Sequence, residues 1–152
     1  VIDVSHLNAP GVVDVLEVSA KPIIASHSNA RAVFEHVRNL TDEQIKAIAA
    51  KGGLIHCTFT FLHEDREQGT LDHVLDHMEH IMKLVGPEHL GIGSDFDGIQ
   101  KSPLGLEDTS QMINITRGLV ARGYTLGAIR QILGENFLRV LAQITGENGG
   151  KE

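Results

Sequence analysis

The stretch Leu90 to Gly98, LGIGSDFDG, constrains the chain most. A short apolar run passes through small residues and stops on two carboxylates, Asp95 and Asp97, with Phe96 between them. A strand that ends on acids beside glycines carries charge at its carboxyl end, where parallel α/β sheets build their sites. Val1 to His6 (VIDVSH) and Pro22 to His27 (PIIASH) repeat the design, each an apolar run that closes on Ser-His. The sequence therefore predicts strands that end on His, His and Asp.

Helical patterns separate these runs. Ala9 to Ser19 suits a short helix with Pro10 in its first turn, and Ala32 to Val37 suits a helical turn. A clearer helix starts at Thr41: Thr41 and Gln44 have capping-box spacing, Ile45 and Ile48 give an apolar stripe, and Gly52-Gly53 stops it. Leu54 to Phe61 (LIHCTFTF) reads as another strand, followed by the polar loop EDREQG. From Thr70 to Val85 the periodicity is strongest, with Leu71, Val74, Leu75, Met78, Ile81, Met82 and Val85 on a face about 120° wide at roughly 100° per residue. Beyond the strand Leu90 to Asp95, a helix is expected from about Asp108 to Arg122. Thr125 caps the next, Gly134 breaks it, and Glu135 to Ile144 forms the last. Residues 146–152, GENGGKE, read as a disordered tail after a domain spanning 1–145.

Strand-then-helix alternation, four times over, argues for a parallel sheet. Strand ends near 6, 27, 60 and 95 lie about 20 to 35 residues apart, the spacing of a barrel that fits eight units into roughly 250 residues. The expected fold is α/β: the carboxyl-terminal half of a (β/α)8 TIM-type barrel, about four β/α units with terminal helices added. Such a half leaves parallel edges and inner side chains open to water, so a missing amino-terminal half is the expected partner. That half could belong to a longer chain, consistent with Val1 already lying in a strand, or to an assembly, a homo-oligomer being one form.

Charge and cysteine content narrow the function classes. A formal charge of −7 with no Lys/Arg cluster argues against a nucleic-acid partner. No apolar run reaches the roughly 18 residues of a membrane span. The single cysteine, Cys57, cannot support a disulfide framework and is compatible with a reducing compartment.

Taken alone, His6 and His27 could each be a hydrogen-bonded structural residue. Together with Asp95 they suggest a metal site, because neighbouring parallel strands lie about 4.8 Å apart and their carboxyl ends share one rim. Two neutral imidazoles can share a zinc ion, and Asp95 can take a proton from a water bound to it. Arg38, in the run EHVRN, is either a surface arginine or a rigid fork for a substrate carboxylate. His73 and His77 have the i, i+4 spacing of a helical metal pair, yet with His80 they lie opposite the apolar stripe, which favours a solvated face. His56 reads as a packed or hydrogen-bonded strand residue, His63 as a rim position, and Asp97 as a cap for the following loop.

VIDVSH, then PIIASHSNAR with EHVRNLTDEQI, then GIGSDFDGI with GLED, and finally GENFLRVL resemble the carboxyl-terminal half of the membrane (renal) dipeptidases and their bacterial relatives. The motifs fall in family order over nearly the whole chain. The resemblance implies a zinc-dependent dipeptidase on a (β/α)8 barrel with two metal ions. By that resemblance His6 and His27 bind one zinc, Asp95 is the acid/base near the bridging hydroxide, and Arg38 holds the dipeptide's terminal carboxylate. The family's His-x-Asp motif, its metal-bridging glutamate and an upstream histidine have no match here and would lie before Val1. Two rivals remain open on the residues: a non-catalytic half-barrel serving as a binding module, and a related metal-dependent amidohydrolase acting on a cyclic amide or lactone. Arg38 and its HVRN run favour a substrate with a free carboxylate.

Overall fold

The computed structural model describes residues 1–63 and 68–146. Most of the polar loop after His63 and nearly all of the 146–152 tail therefore lie outside the described residues. Three parallel strands, β1 (Ile24–Ala25), β2 (Leu54–Cys57) and β3 (Leu90–Ile92), form a sheet in the order β1-β2-β3. Ile24 pairs with Leu54, and Ile55 with Leu90. A fourth extended segment flanks β1 through the parallel bridge Asp3–Ile24: Ile24 donates its N–H to Ile2 at 2.9 Å, and Val4 donates to Ile24 at 2.8 Å.

The strands are shorter than the apolar runs that encode them, and the cause is local. Pairing of β2 stops after Cys57 because the buried Asn29 side chain intercepts the next peptides. It accepts from the Thr58 N–H at 3.2 Å and donates to the carbonyls of Thr58 at 3.2 Å and Thr60 at 2.8 Å. β3 makes one further bond, Gly93 N–H to the Cys57 carbonyl at 2.9 Å, before Asp95 turns the chain with a φ of 61°. The first run keeps a single bridge, because Asp3 Oδ1 captures the Ser5 N–H at 3.0 Å and His6 takes a φ of 75°. The first run, β1 and β2 thus end where the Asp3 and Asn29 side chains claim the backbone, and β3 ends at the turn made by Asp95.

α1 (Ala9–Val18) is capped by Asn8, and α2 (Asp42–Ala50) begins with the expected capping box between Thr41 and Gln44. Residues 32–37 begin as a single turn, with Phe34 donating its N–H to the Ala30 carbonyl at 3.3 Å, and then leave helical form. Their carbonyls are taken by side chains: Asn39 donates to Phe34 at 2.9 Å, and Arg31 donates to His36 at 3.2 Å and Val37 at 3.3 Å. α3 (Leu71–Val85) matches the periodic segment and buries Val74, Leu75, Met78, Ile81 and Met82. It packs between α2 and α4 (Ile113–Ala121), and at Gly118 a Cβ would lie 2.4 Å from Leu75 Cδ1. The helix expected over 108–122 is split, because Asp108 caps a separate 3-10 turn, Thr109–Gln111. α5 (Leu126–Arg130) and α6 (Asn136–Thr145) follow, with the chain non-helical at Gly134 as expected.

Alternation along the strands divides the core. Ala25, Ile55 and Cys57 join the main cluster with α2 and α3, whereas Ile24 and Leu54 pack on Val140 of α6. Both faces of the sheet are thus covered at these positions, as parallel strands require. His77 contradicts the sequence reading: it is fully buried in α3 instead of solvated. The loops that leave β1 and β2 fold over this face of α3 and supply two backbone partners for the ring. Among the described residues no helix is long and apolar enough to cross a membrane.

Candidate metal centre

The carboxyl ends of the first extended segment and β1 bring His6 and His27 together, with ring centroids 4.8 Å apart and planes inclined at 60°. Imidazoles bound to one tetrahedral cation through nitrogens roughly 2.0–2.1 Å away have centroids about 5 Å apart, so this separation suits a shared ion. The pKa of His27 is lowered, chiefly by burial and also by the positive charges of His6 and Arg38, while Asp95 and Asp3 oppose the shift. A lowered pKa leaves a neutral imidazole near pH 7, the protonation state in which the ring can bind a metal.

Asp95 and Arg38 both lie near enough for their charges to act on His27. Asp95 occupies the left-handed region, as His6 does, and Phe96 anchors it by packing edge-on against Phe59 at 5.4 Å. Its carboxylate lies over Gly98, where a Cβ would fall 2.3 Å from Oδ1. The Asp95 carbonyl accepts the Gly98 N–H at 2.9 Å, so the turn after the acids is closed by Asp95, and Asp97 is exposed.

Arg38 projects from a braced loop. Arg31 fastens the carbonyls of His36, Val37 and Asn39, and Asn39 donates to Phe61 at 3.0 Å. His36 stacks on Phe61 at 4.1 Å, and the Arg38 guanidinium lies 5.7 Å from the same ring. Arg38 Nε is buried without a hydrogen-bond partner. A desolvated guanidinium nitrogen is costly unless an acceptor reaches it, so the site suits an anionic ligand.

Asp3 and the serines stand behind His27. Asp3 accepts the Ser26 N–H at 2.9 Å and the Ser5 N–H at 3.0 Å on Oδ1, and the Ser26 hydroxyl on Oδ2. Ser26 Oγ is 2.8 Å from His27 Nδ1, and Ser5 Oγ accepts the His27 N–H at 3.0 Å. Burial raises the Asp3 pKa, but the hydrogen bonds from Ser26 and Ser5 outweigh it and hold the acid below its ordinary value. The repeated Ser-His dipeptide was a legible signal for the serines. Asp3 lies inside the VIDVSH run, but nothing in the run marks it as the residue that reaches Ser26.

The other histidines lie apart from this cluster. His77 has both ring nitrogens committed to backbone, Ala30 N–H at 3.2 Å and the Leu62 carbonyl at 3.0 Å, so the His73/His77 spacing makes no metal pair. His56 donates from Nδ1 to the Ala25 carbonyl at 3.2 Å, in keeping with a strand residue. His63 packs on His73 with ring centroids 4.1 Å apart.

As donors, two imidazoles beside a carboxylate fit a zinc-type cation. They do not complete its shell: among the described residues no group of three or more His, Cys, Asp or Glu could hold a metal. The two rings, 4.8 Å apart, could supply at most two nitrogens of such a shell.

The model of the membrane dipeptidase family, peptidase family M19, matches residues 1–149. Dipeptidase tcpJ of Claviceps purpurea is 37% identical over 146 residues, which cover 95% of this chain and 34% of that protein. Dipeptidase verJ of Clonostachys rogersoniana is 38% identical over 143 residues, 94% of this chain and 37% of that protein. A metallo peptidase from Rhodobacter sphaeroides, solved with a phosphinate mimic of the dipeptide L-Ala-D-Ala, is similar with a TM-score of 0.87 and 37% identity over 93% of this chain and 41% of its own. The chain spans about a third of the length of the curated relatives it matches. Motifs, fold and family model agree: this chain belongs to the membrane dipeptidase family of metallopeptidases, M19.

Proposed function

We propose that these residues serve zinc-dependent hydrolysis of dipeptides, with the reaction at the rim where His6, His27, Asp95 and Arg38 gather. The observation that carries this reading is the 4.8 Å approach of the His6 and His27 rings from separate strands. Packing alone does not require two imidazoles to meet there beside a carboxylate. Residues 1–145 act on this reading as the carboxyl-terminal half of a (β/α)8 barrel. The remaining ligands, and the second zinc site of a two-ion centre, come from a partner half.

His6 and His27 would hold the ion through neutral imidazoles. When bound, such a cation lowers the pKa of water and polarises the peptide carbonyl. Asp95 accepts the proton of the attacking water and returns it to the leaving amine, a role that needs proximity more than tight ligation. Arg38 pairs through two parallel hydrogen bonds with the substrate's free carboxylate, and the bond-poor Nε supports an anion there. Because only the last residue of a peptide carries that group, the pairing directs cleavage to the peptide bond just before it, which in a dipeptide is its one peptide bond. The phosphinate dipeptide mimic bound by the Rhodobacter relative agrees with this substrate class.

The test compares His27→Ala and Asp95→Asn in the longest natural chain that contains this sequence. Metal is measured by elemental analysis and hydrolysis by amine release from a dipeptide panel. His27→Ala should lose metal, and Asp95→Asn should keep it while turnover falls by at least about 100-fold, as for loss of a general acid/base. Near-normal hydrolysis by Asp95→Asn would remove its assignment. Dipeptide binding without turnover in the unaltered protein would favour a binding module instead.

A further inference from the structure

We propose that Asp3 is a positioning residue that acts through Ser26 to hold His27 in the tautomer able to bind a metal. This rests on the reading of His27 as a ligand, and it concerns a residue three positions before His6 that no motif singled out.

One chain of hydrogen bonds from Asp3 through Ser26 to His27 fixes where each proton sits. An ionised carboxylate only accepts. Asp3 Oδ1 is occupied by two backbone N–H groups, Ser5 at 3.0 Å and Ser26 at 2.9 Å, so the carboxylate cannot swing away from Ser26. Oδ2 receives the Ser26 hydroxyl. A serine has one hydroxyl proton, and once Asp3 takes it, Ser26 Oγ can only accept from its other neighbour. That neighbour is His27 Nδ1 at 2.8 Å, which must therefore carry the ring proton. The proton of a neutral imidazole is thus held on Nδ1, and the lone pair is left on Nε2. The alternative use of the Ser26 proton, a contact with Ser5 Oγ at 3.5 Å, is much longer. Ser5 Oγ also accepts the His27 N–H at 3.0 Å, which fixes the backbone from which the ring projects. Carboxylate, hydroxyl and imidazole form one directed relay. Partners of this kind orient metal-binding histidines and make them better donors.

Direction is what the test exploits. In Asp3→Asn the side-chain oxygen can keep both backbone N–H groups, but the amide nitrogen then faces Ser26 and donates to it. The serine proton turns toward His27 Nδ1, and the ring proton moves to Nε2, where it blocks the metal. Ser26→Ala removes the relay without reversing it, and Ser26→Thr restores the hydroxyl. Both serve if Asp3→Asn fails to fold.

The experiment uses the longest natural chain that contains this sequence, with histidine labelled by nitrogen-15. Long-range proton–nitrogen spectra of the metal-stripped protein report the tautomer, and competition titration with zinc reports affinity. Asp3→Asn should shift His27 from the Nδ1–H to the Nε2–H tautomer and weaken zinc binding by about 10 to 100-fold. Ser26→Ala should weaken it similarly, and Ser26→Thr should recover it. Weaker binding with an unchanged tautomer would make Asp3 merely structural and overturn the proposal. So would unchanged affinity in Asp3→Asn and Ser26→Ala while His27→Ala has lost the metal. If His27→Ala keeps its zinc, the ligand reading itself is wrong, and the relay falls with it.

Discussion

His77 Nε2 donates to the carbonyl of Leu62 at 3.0 Å, tying the middle of α3 to the loop that leaves β2. Because Nε2 carries the proton, Nδ1 is free to accept the Ala30 N–H at 3.2 Å, and a second proton on the ring would break that bond. Burial pushes the pKa of His77 down to about 4 from an ordinary 6.5. The unfolded chain therefore takes up a proton near pH 6.5 that the folded chain refuses until about pH 4. Across that window the unfolded state binds more protons, so stability is greatest above it and falls as pH drops, by about 3 kcal/mol in all. Urea unfolding at a series of pH values measures this loss. His77→Gln, which does not titrate, should show a shallower decline.

Arg38→Lys should raise KM for dipeptides by about 10-fold or more and leave kcat nearly unchanged, since an ammonium cannot reproduce a two-pronged contact with a carboxylate. Steady-state kinetics decide the point. An unmoved KM would make Arg38 a structural cation on the Phe61 ring.

Gly98→Ala should lower kcat without altering metal content. A methyl group at Gly98 would stand 2.3 Å from Asp95 Oδ1, so the carboxylate must move aside. A misplaced proton acceptor costs on the order of 100-fold in rate. Equal kcat in the variant and the parent would mean that Asp95 does its work from a different rotamer.

Thr41→Ala should reduce stability by about 1 kcal/mol, the usual worth of a helix cap. Thr41 Oγ1 accepts the Gln44 N–H at 3.3 Å, and Gln44 returns the bond to the Thr41 N–H at 3.0 Å. Gln44 also donates to the Ala9 carbonyl at 3.3 Å, linking the start of α2 to α1. Thermal or urea unfolding followed by circular dichroism reads the change. A loss well above this range would point to that inter-helix link.

Much of the architecture was legible because its signals are local. The capping box at Thr41, the break at Gly134 and the apolar stripe of α3 each depend on residues within a turn or two, and each stands in the structure where the sequence puts it. Strand lengths were not legible. Leu54 to Phe61 is apolar and β-rich throughout, yet pairing stops at Cys57 because Asn29, from another loop, takes the bonds of Thr58 and Thr60. His77 departs from the sequence expectation for a similar reason. Helical periodicity places it opposite the stripe, and periodicity does not record that two loops fold over it.

The sequence by itself determined the alternation of strand and helix, the kinds of side chain set at the strand ends, and the resemblance that carries the family. Side-chain chemistry and short-range spacing suffice for these, since they need no knowledge of what lies across the sheet. Only the tertiary structure decided that the His6 and His27 rings meet at 4.8 Å, that Asp3 reaches Ser26 behind them, and that Arg38 shares the Phe61 ring with His36. Such contacts depend on parallel register and on loops that cross between strands. Those follow from burying both faces of the sheet together, not from any one segment.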